Sequence, residues 1–229
     1  MQRRTICLFV FLIVTATAFA QWDDEYLIEV GGGVGTVCYE GDFNGSIVSN
    51  MQPMASLLVR RVFNPYMGLA ATLSYGTLKG SSRDENTYYP ELQQNPVTFS
   101  NMMFDLGVRY EYNFWPYGTG NDYRGAKRMT PFIFLGAGAT YVKTTEKGIF
   151  TGNVPIGLGV KYKVATRLNV GVEWAMHFSF SDKLDGVKDP YGIKSSGIFK
   201  NTDCYSALQL TLTYSFMAKC RTCNNDKDD

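Results

Sequence analysis

The clearest pattern along the chain is strict alternation of apolar and polar residues. In 102–114 the even positions read Met102, Phe104, Leu106, Val108, Tyr110, Tyr112 and Phe114, and the odd ones Met103, Asp105, Gly107, Arg109, Glu111 and Asn113. Successive residues of a strand face opposite sides, so this segment predicts a strand with one apolar and one polar face. The same holds for 168–180, where Leu168, Val170, Val172, Trp174, Met176, Phe178 and Phe180 alternate with Asn169, Gly171, Glu173, Ala175, His177 and Ser179. It holds again for 204–216, which ends Thr213-Tyr-Ser-Phe216. Weaker alternation marks 26–39, 67–79 and 154–164. Segments 54–63 and 131–143 are apolar on both faces, and their orientation is not legible.

The eight segments are joined by connections of alternating length. Phe63-Asn-Pro-Tyr66 and Ala165-Thr-Arg167 are tight, whereas 41–53, 80–97, 144–153 and 181–203 are longer and polar. Polar-in, apolar-out strands with short turns on one side and long loops on the other are the pattern of a bacterial membrane barrel. The fold expected is all-β, a single transmembrane antiparallel β-barrel of about eight strands over 21–216. A soluble sandwich also alternates, but it does not need long outward apolar rows with aromatics gathered at strand ends, as Tyr112, Phe114, Trp115 and Tyr117 are.

Composition sharpens this picture at the N-terminus. Arg3 and Arg4, an apolar run from Ile6 to Val14 and Ala18-Phe-Ala20 have the form of a secretory signal peptide over 1–20. Its removal leaves 20 basic against 21 acidic residues, so nothing points to nucleic acid as a partner. Past residue 20 no apolar run approaches the ~20 residues of a spanning helix. The expected location is the outer membrane, in contact with membrane lipids, with both termini in the periplasm and a periplasmic tail over 217–229.

Candidate chemistry lies mostly inside. Glu29, Asp105, Arg109, Glu111, Lys161, Lys163, Glu173 and His177 are assigned to the inward face, where opposite charges can pair. Eight strands leave a lumen about wide enough for side chains, so these residues are read as a plug and not a transport path. His177 is the only histidine, with Ser179, Ser181 and Asp182 near it in sequence, but spacing gives no triad and no catalytic residue is assigned. Cys220-Arg-Thr-Cys223 is a single pair without clustered histidines, so neither a metal nor a cofactor is expected, and a local or mixed disulfide is the reading. If Tyr26 lies opposite Phe216 at barrel closure, Cys38 falls opposite Cys204 on the outward face, a second candidate disulfide. Partner docking is placed on the connection 118–129, with Arg124, Lys127 and Arg128, and on the tail, with Lys219 and Arg221.

Beyond these readings, Gly31-Gly-Gly-Val-Gly35, Tyr39-Glu-Gly-Asp42, Tyr110-Glu-Tyr-Asn-Phe-Trp-Pro-Tyr117, Pro155-Ile-Gly-Leu-Gly-Val-Lys-Tyr162, Gly171-Val-Glu-Trp174, Ser181-Asp-Lys-Leu-Asp185 and Leu212-Thr-Tyr214, in that order, resemble the PorG family. These are outer-membrane barrels of the type IX secretion system. The resemblance implies a non-enzymatic barrel tying a periplasmic ring, built from a lipoprotein and its partner, to the outer membrane, in a machine that in some bacteria also supports gliding motility. A stand-alone surface barrel for binding or adhesion, and a lipid-modifying enzyme, are the alternatives.

Overall fold

A computed structural model describes residues 26–40, 50–81, 98–118, 126–144, 148–181 and 203–218. They form β1 (Tyr26–Glu40), β2 (Gln52–Asn64), β3 (Met67–Ser81), β4 (Thr98–Asn113), β5 (Met129–Lys143), β6 (Gly148–Lys163), β7 (Leu168–Ser179) and β8 (Cys204–Ala218). Each strand pairs antiparallel with its sequence neighbours, and β1 pairs with β8 to close the barrel. Closure leaves no unpaired edge, the condition a sheet must meet in hydrocarbon.

The outward rows carry the apolar residues. Tyr75, Phe104, Tyr141 and Phe150 are direct cross-strand neighbours on β3 to β6 and form one aromatic band at the long-loop end. Phe63, Tyr112, Phe114, Trp115, Tyr162, Tyr214 and Phe216 form a second at the short-turn end. From Phe104 on β4 to Phe114 just past its end, ~3.4 Å per residue and ~40° of tilt give about 26 Å along the axis, close to the ~25 Å apolar band of outer-membrane barrels. The molecule is an outer-membrane-type β-barrel whose outward face is apolar.

The two ambiguous segments now have an orientation. Met54, Ser56, Leu58 and Arg60 of β2 point inward and Leu57 and Val59 outward; on β5, Phe132 and Phe134 point inward and Ile133 and Leu135 outward. Three expectations are corrected. The connection read as the long loop 144–153 is short, because Ile149 and Phe150 belong to β6 and Lys143 pairs with Gly148. The barrel continues past Phe216, with Ala218 opposite Tyr26. Phe216 therefore pairs with Ile28, a two-residue shift that puts Cys38 opposite Ser206 and Cys204 opposite Glu40. No disulfide joins Cys38 to Cys204. Cys220 and Cys223 lie outside the described residues.

Candidate functional site: a sealed lumen and its capped end

All eight inward residues expected from the alternation face the lumen, and five of them, Glu29, Arg109, Glu111, Lys161 and Glu173, form a connected network with one member that sequence reasoning missed, Arg60. Glu111 is its centre. It accepts from Arg60 Nε (2.7 Å), Arg109 Nε (3.0 Å) and Lys161 Nζ (2.5 Å), and its side chain is fully buried. Arg60 also donates to Glu29 (2.5 Å) and Arg109 to Glu173 (2.5 Å). Glu173 in turn accepts from Gln209 Nε2, and Gln209 Oε1 accepts from Ser56. Three carboxylates thus face three cations. Burying such charges is costly, and pairing with near-complete hydrogen bonding offsets that cost.

The aromatic pair of β5 completes the arrangement. Arg109 lies 4.2 Å from the ring centre of Phe134 and Lys161 4.1 Å from that of Phe132, so both cations rest on ring faces while their polar ends reach Glu111. The rings fit because the strand beside them has no side chains there. A Cβ at Gly157 would strike Phe134, and one at Gly159 would strike Phe132. In Pro155-Ile-Gly-Leu-Gly-Val-Lys-Tyr162 the odd positions therefore supply two ring seats and the Lys161 cation, and the even ones supply the outward face.

Toward the long loops the network thins. Asp105 Oδ2 accepts from Thr140 (3.0 Å), Asn153 (2.5 Å) and Tyr205 (2.8 Å). His177 stacks on Tyr205, with ring centres 4.4 Å apart, and its Nδ1 stands 3.9 Å from Asp105 without a hydrogen bond. Ser179 bonds Thr151 and accepts from the Ser181 amide, so neither points to His177 as a base for Ser179. Beside these groups a cavity of about 20 Å³ has room for roughly one water. Above it the lumen becomes apolar. Val37, Tyr39, Met54, Leu78, Met103, Val142 and Ala207 pack together and fill the long-loop half.

The short-turn end is capped. Tyr117, grouped with the interfacial aromatics from sequence, instead turns beneath the lumen, where its hydroxyl donates to Asn169 Oδ1 (3.0 Å). Burial, reinforced by Glu29, pushes its phenol well above the ordinary range and keeps it a neutral donor. Its amide donates to Pro65 O (3.1 Å), and Lys163 Nζ sits 5.4 Å from its ring centre. Tyr117 also bridges to Lys127, whose amide donates to Pro116 O (2.7 Å). The stem of the connection after β4 is therefore held by backbone bonds between Pro116 to Gly118 and Lys127. Lys127 and Arg128 are exposed on it, with Lys127 Nζ 4.5 Å from the Trp115 ring centre. Arg124, Lys219 and Arg221 lie outside the described residues.

Residues 3–225 match the model of a family described as a domain of unknown function, DUF6089. No curated protein matches the sequence. Among solved structures, Neisserial surface protein A (NspA) is 11% identical with a TM-score of 0.49, over 82% of this chain and 97% of that one. OprG from Pseudomonas aeruginosa is 12% identical with a TM-score of 0.47, over 87% and 100%. Ail, the attachment invasion locus protein of Yersinia pestis, is 10% identical with a TM-score of 0.43, over 85% and 100%.

Proposed function

This chain belongs to the DUF6089 family, and from that premise we propose that it is a non-enzymatic outer-membrane barrel that docks the periplasmic ring of a protein-secretion machine of the type IX kind. The observation that carries the reading is the contrast between its inside and its short-turn end. Among the described residues, a lumen filled by paired charges below and by apolar side chains above leaves neither a solute path nor a substrate pocket. The end where both barrel termini emerge carries an ordered hairpin stem whose lysine and arginine are exposed. Short turns of bacterial barrels face the periplasm. Cationic rim residues there steer and orient an acidic partner more than they supply binding energy.

The test leaves the cap intact. Residues 119–125 are replaced by a tight turn between the retained stem segments 114–118 and 126–128, with Lys127→Ala and Arg128→Ala in the same variant, and separately the chain is truncated after Lys219. Insertion is verified by heat-modifiable migration. The reading expects loss of co-purifying ring components and of secretion in at least one variant. Normal assembly in both contradicts docking at this end, and loss of surface binding on shortening 82–97 instead would favour the adhesion alternative.

A further inference from the structure

The outer wall of β4 to β7 is not smooth. The surface between the outward residues of β4 to β7 falls away into a groove of about 570 Å³. Tyr110, Ile133, Leu135, Leu158, Trp174 and Met176 line it. Its volume lies within the ~300–1,000 Å³ range of sites that hold small organic molecules. Apart from two phenols and an indole the lining is apolar, and the groove runs up the wall from Tyr112 of the short-turn aromatic band. In a membrane barrel the occupant at that depth is hydrocarbon.

A second observation is independent of the groove. Among the described residues, the exposed charges at the short-turn rim are Arg61, Lys127, Arg128 and Arg167, all basic. The acids Glu29 and Glu111 nearest that end both face the lumen and are spent on cations there. Lys127 and Arg128 immediately precede β5 and stand below the groove. Ile133 is four residues up from Met129, about 13 Å along the strand. The glycerol and ester region of a phospholipid bridges that interval.

We propose that this wall binds an anionic phospholipid of the leaflet on the short-turn side, with an acyl chain in the β4–β7 groove and the phosphate against Lys127 and Arg128. The proposal rests on the membrane-barrel reading and is independent of the secretion partner. It makes the cap residues a lipid anchor as well as a docking face, which fixes the height of the hairpin relative to the bilayer surface.

Trp174 reports on the groove directly. In a Trp22→Phe/Trp115→Phe background it is the remaining indole, and the barrel is reconstituted in vesicles in which either phosphatidylglycerol or phosphatidylcholine carries brominated acyl chains, at equal mole fraction. The result expected is a preference of roughly fivefold or more for the anionic lipid in quenching Trp174, since each interfacial cation contributes about that factor. Lys127→Ala/Arg128→Ala should bring it below about twofold with the barrel still heat-modifiable. Equal quenching by both lipids in the unsubstituted rim overturns the site while leaving the membrane barrel standing. Quenching by neither lipid contradicts the membrane reading itself. Shielding from both in a protein that runs as a dimer in detergent shows that a second copy covers the groove, and overturns the proposal as well.

Discussion

The lower and upper halves of the lumen fill the same volume by opposite means. Near the short turns, Glu29, Arg60, Arg109, Glu111, Lys161 and Glu173 close it with directional, charge-assisted bonds. Near the long loops, Val37, Leu78, Met103 and Val142 close it by packing. Paired buried charges specify one arrangement, because each is costly when its partner is displaced. Apolar packing tolerates exchange of similar volumes. The half that cannot be rearranged is the half above the cap, and this is where a fixed geometry would serve the docking role proposed for that end.

The comparison is tested most severely by a substitution that keeps shape and removes charge. Glu111→Gln removes the carboxylate that Arg60, Arg109 and Lys161 share and leaves Lys161 without a counter-charge, while Arg60 keeps Glu29 and Arg109 keeps Glu173; a loss of about 3–5 kcal/mol is expected in urea unfolding of the reconstituted barrel. In the upper half the equivalent conservative change, Met103→Leu, should cost less than ~1.5 kcal/mol. Equal costs at the two positions would erase the distinction between the halves. Smaller still is Tyr117→Phe, which removes the hydrogen bond to Asn169 and should cost about 1 kcal/mol. Its sharper readout is faster proteolysis within 118–128, since the hydroxyl ties the hairpin stem to the lumen.

Salt separates the same regions kinetically. Raising ionic strength screens exposed charges strongly and buried pairs weakly. The unfolding midpoint should therefore barely move with salt, whereas the ring association proposed for the exposed Lys127 and Arg128 should weaken. A midpoint that tracks salt would mean that water and ions reach the network.

Much of the barrel was legible because lipid outside and charge inside impose period-2 alternation, and β4, β7 and β8 show it without interruption. β2 and β5 resisted for a physical reason: in both, the inward face is partly apolar. Leu58 and Met54 are buried inward, and Phe132 and Phe134 serve as rests for cations. Arg60 went unnoticed inside such a stretch, although it shares parity with Ser56, and that shared polar face was the available signal. The closing register differs by two from the one expected because a terminal aromatic does not mark the end of pairing: the strand runs past Phe216 to Ala218. Tyr117 could not be told from its neighbours Phe114 and Trp115, since alternation stops at the end of β4 and only the turn geometry sends its ring inward.

The claim on which the rest depends is that the lumen is sealed and serves as a rigid plug. Planar-bilayer recording from the purified, heat-modifiable barrel tests it most directly. The account predicts no resolvable conductance steps in the unaltered protein, and intermittent ones once Glu111→Gln loosens the lower half. Stable openings in the unaltered barrel, unchanged by Glu111→Gln, would contradict it.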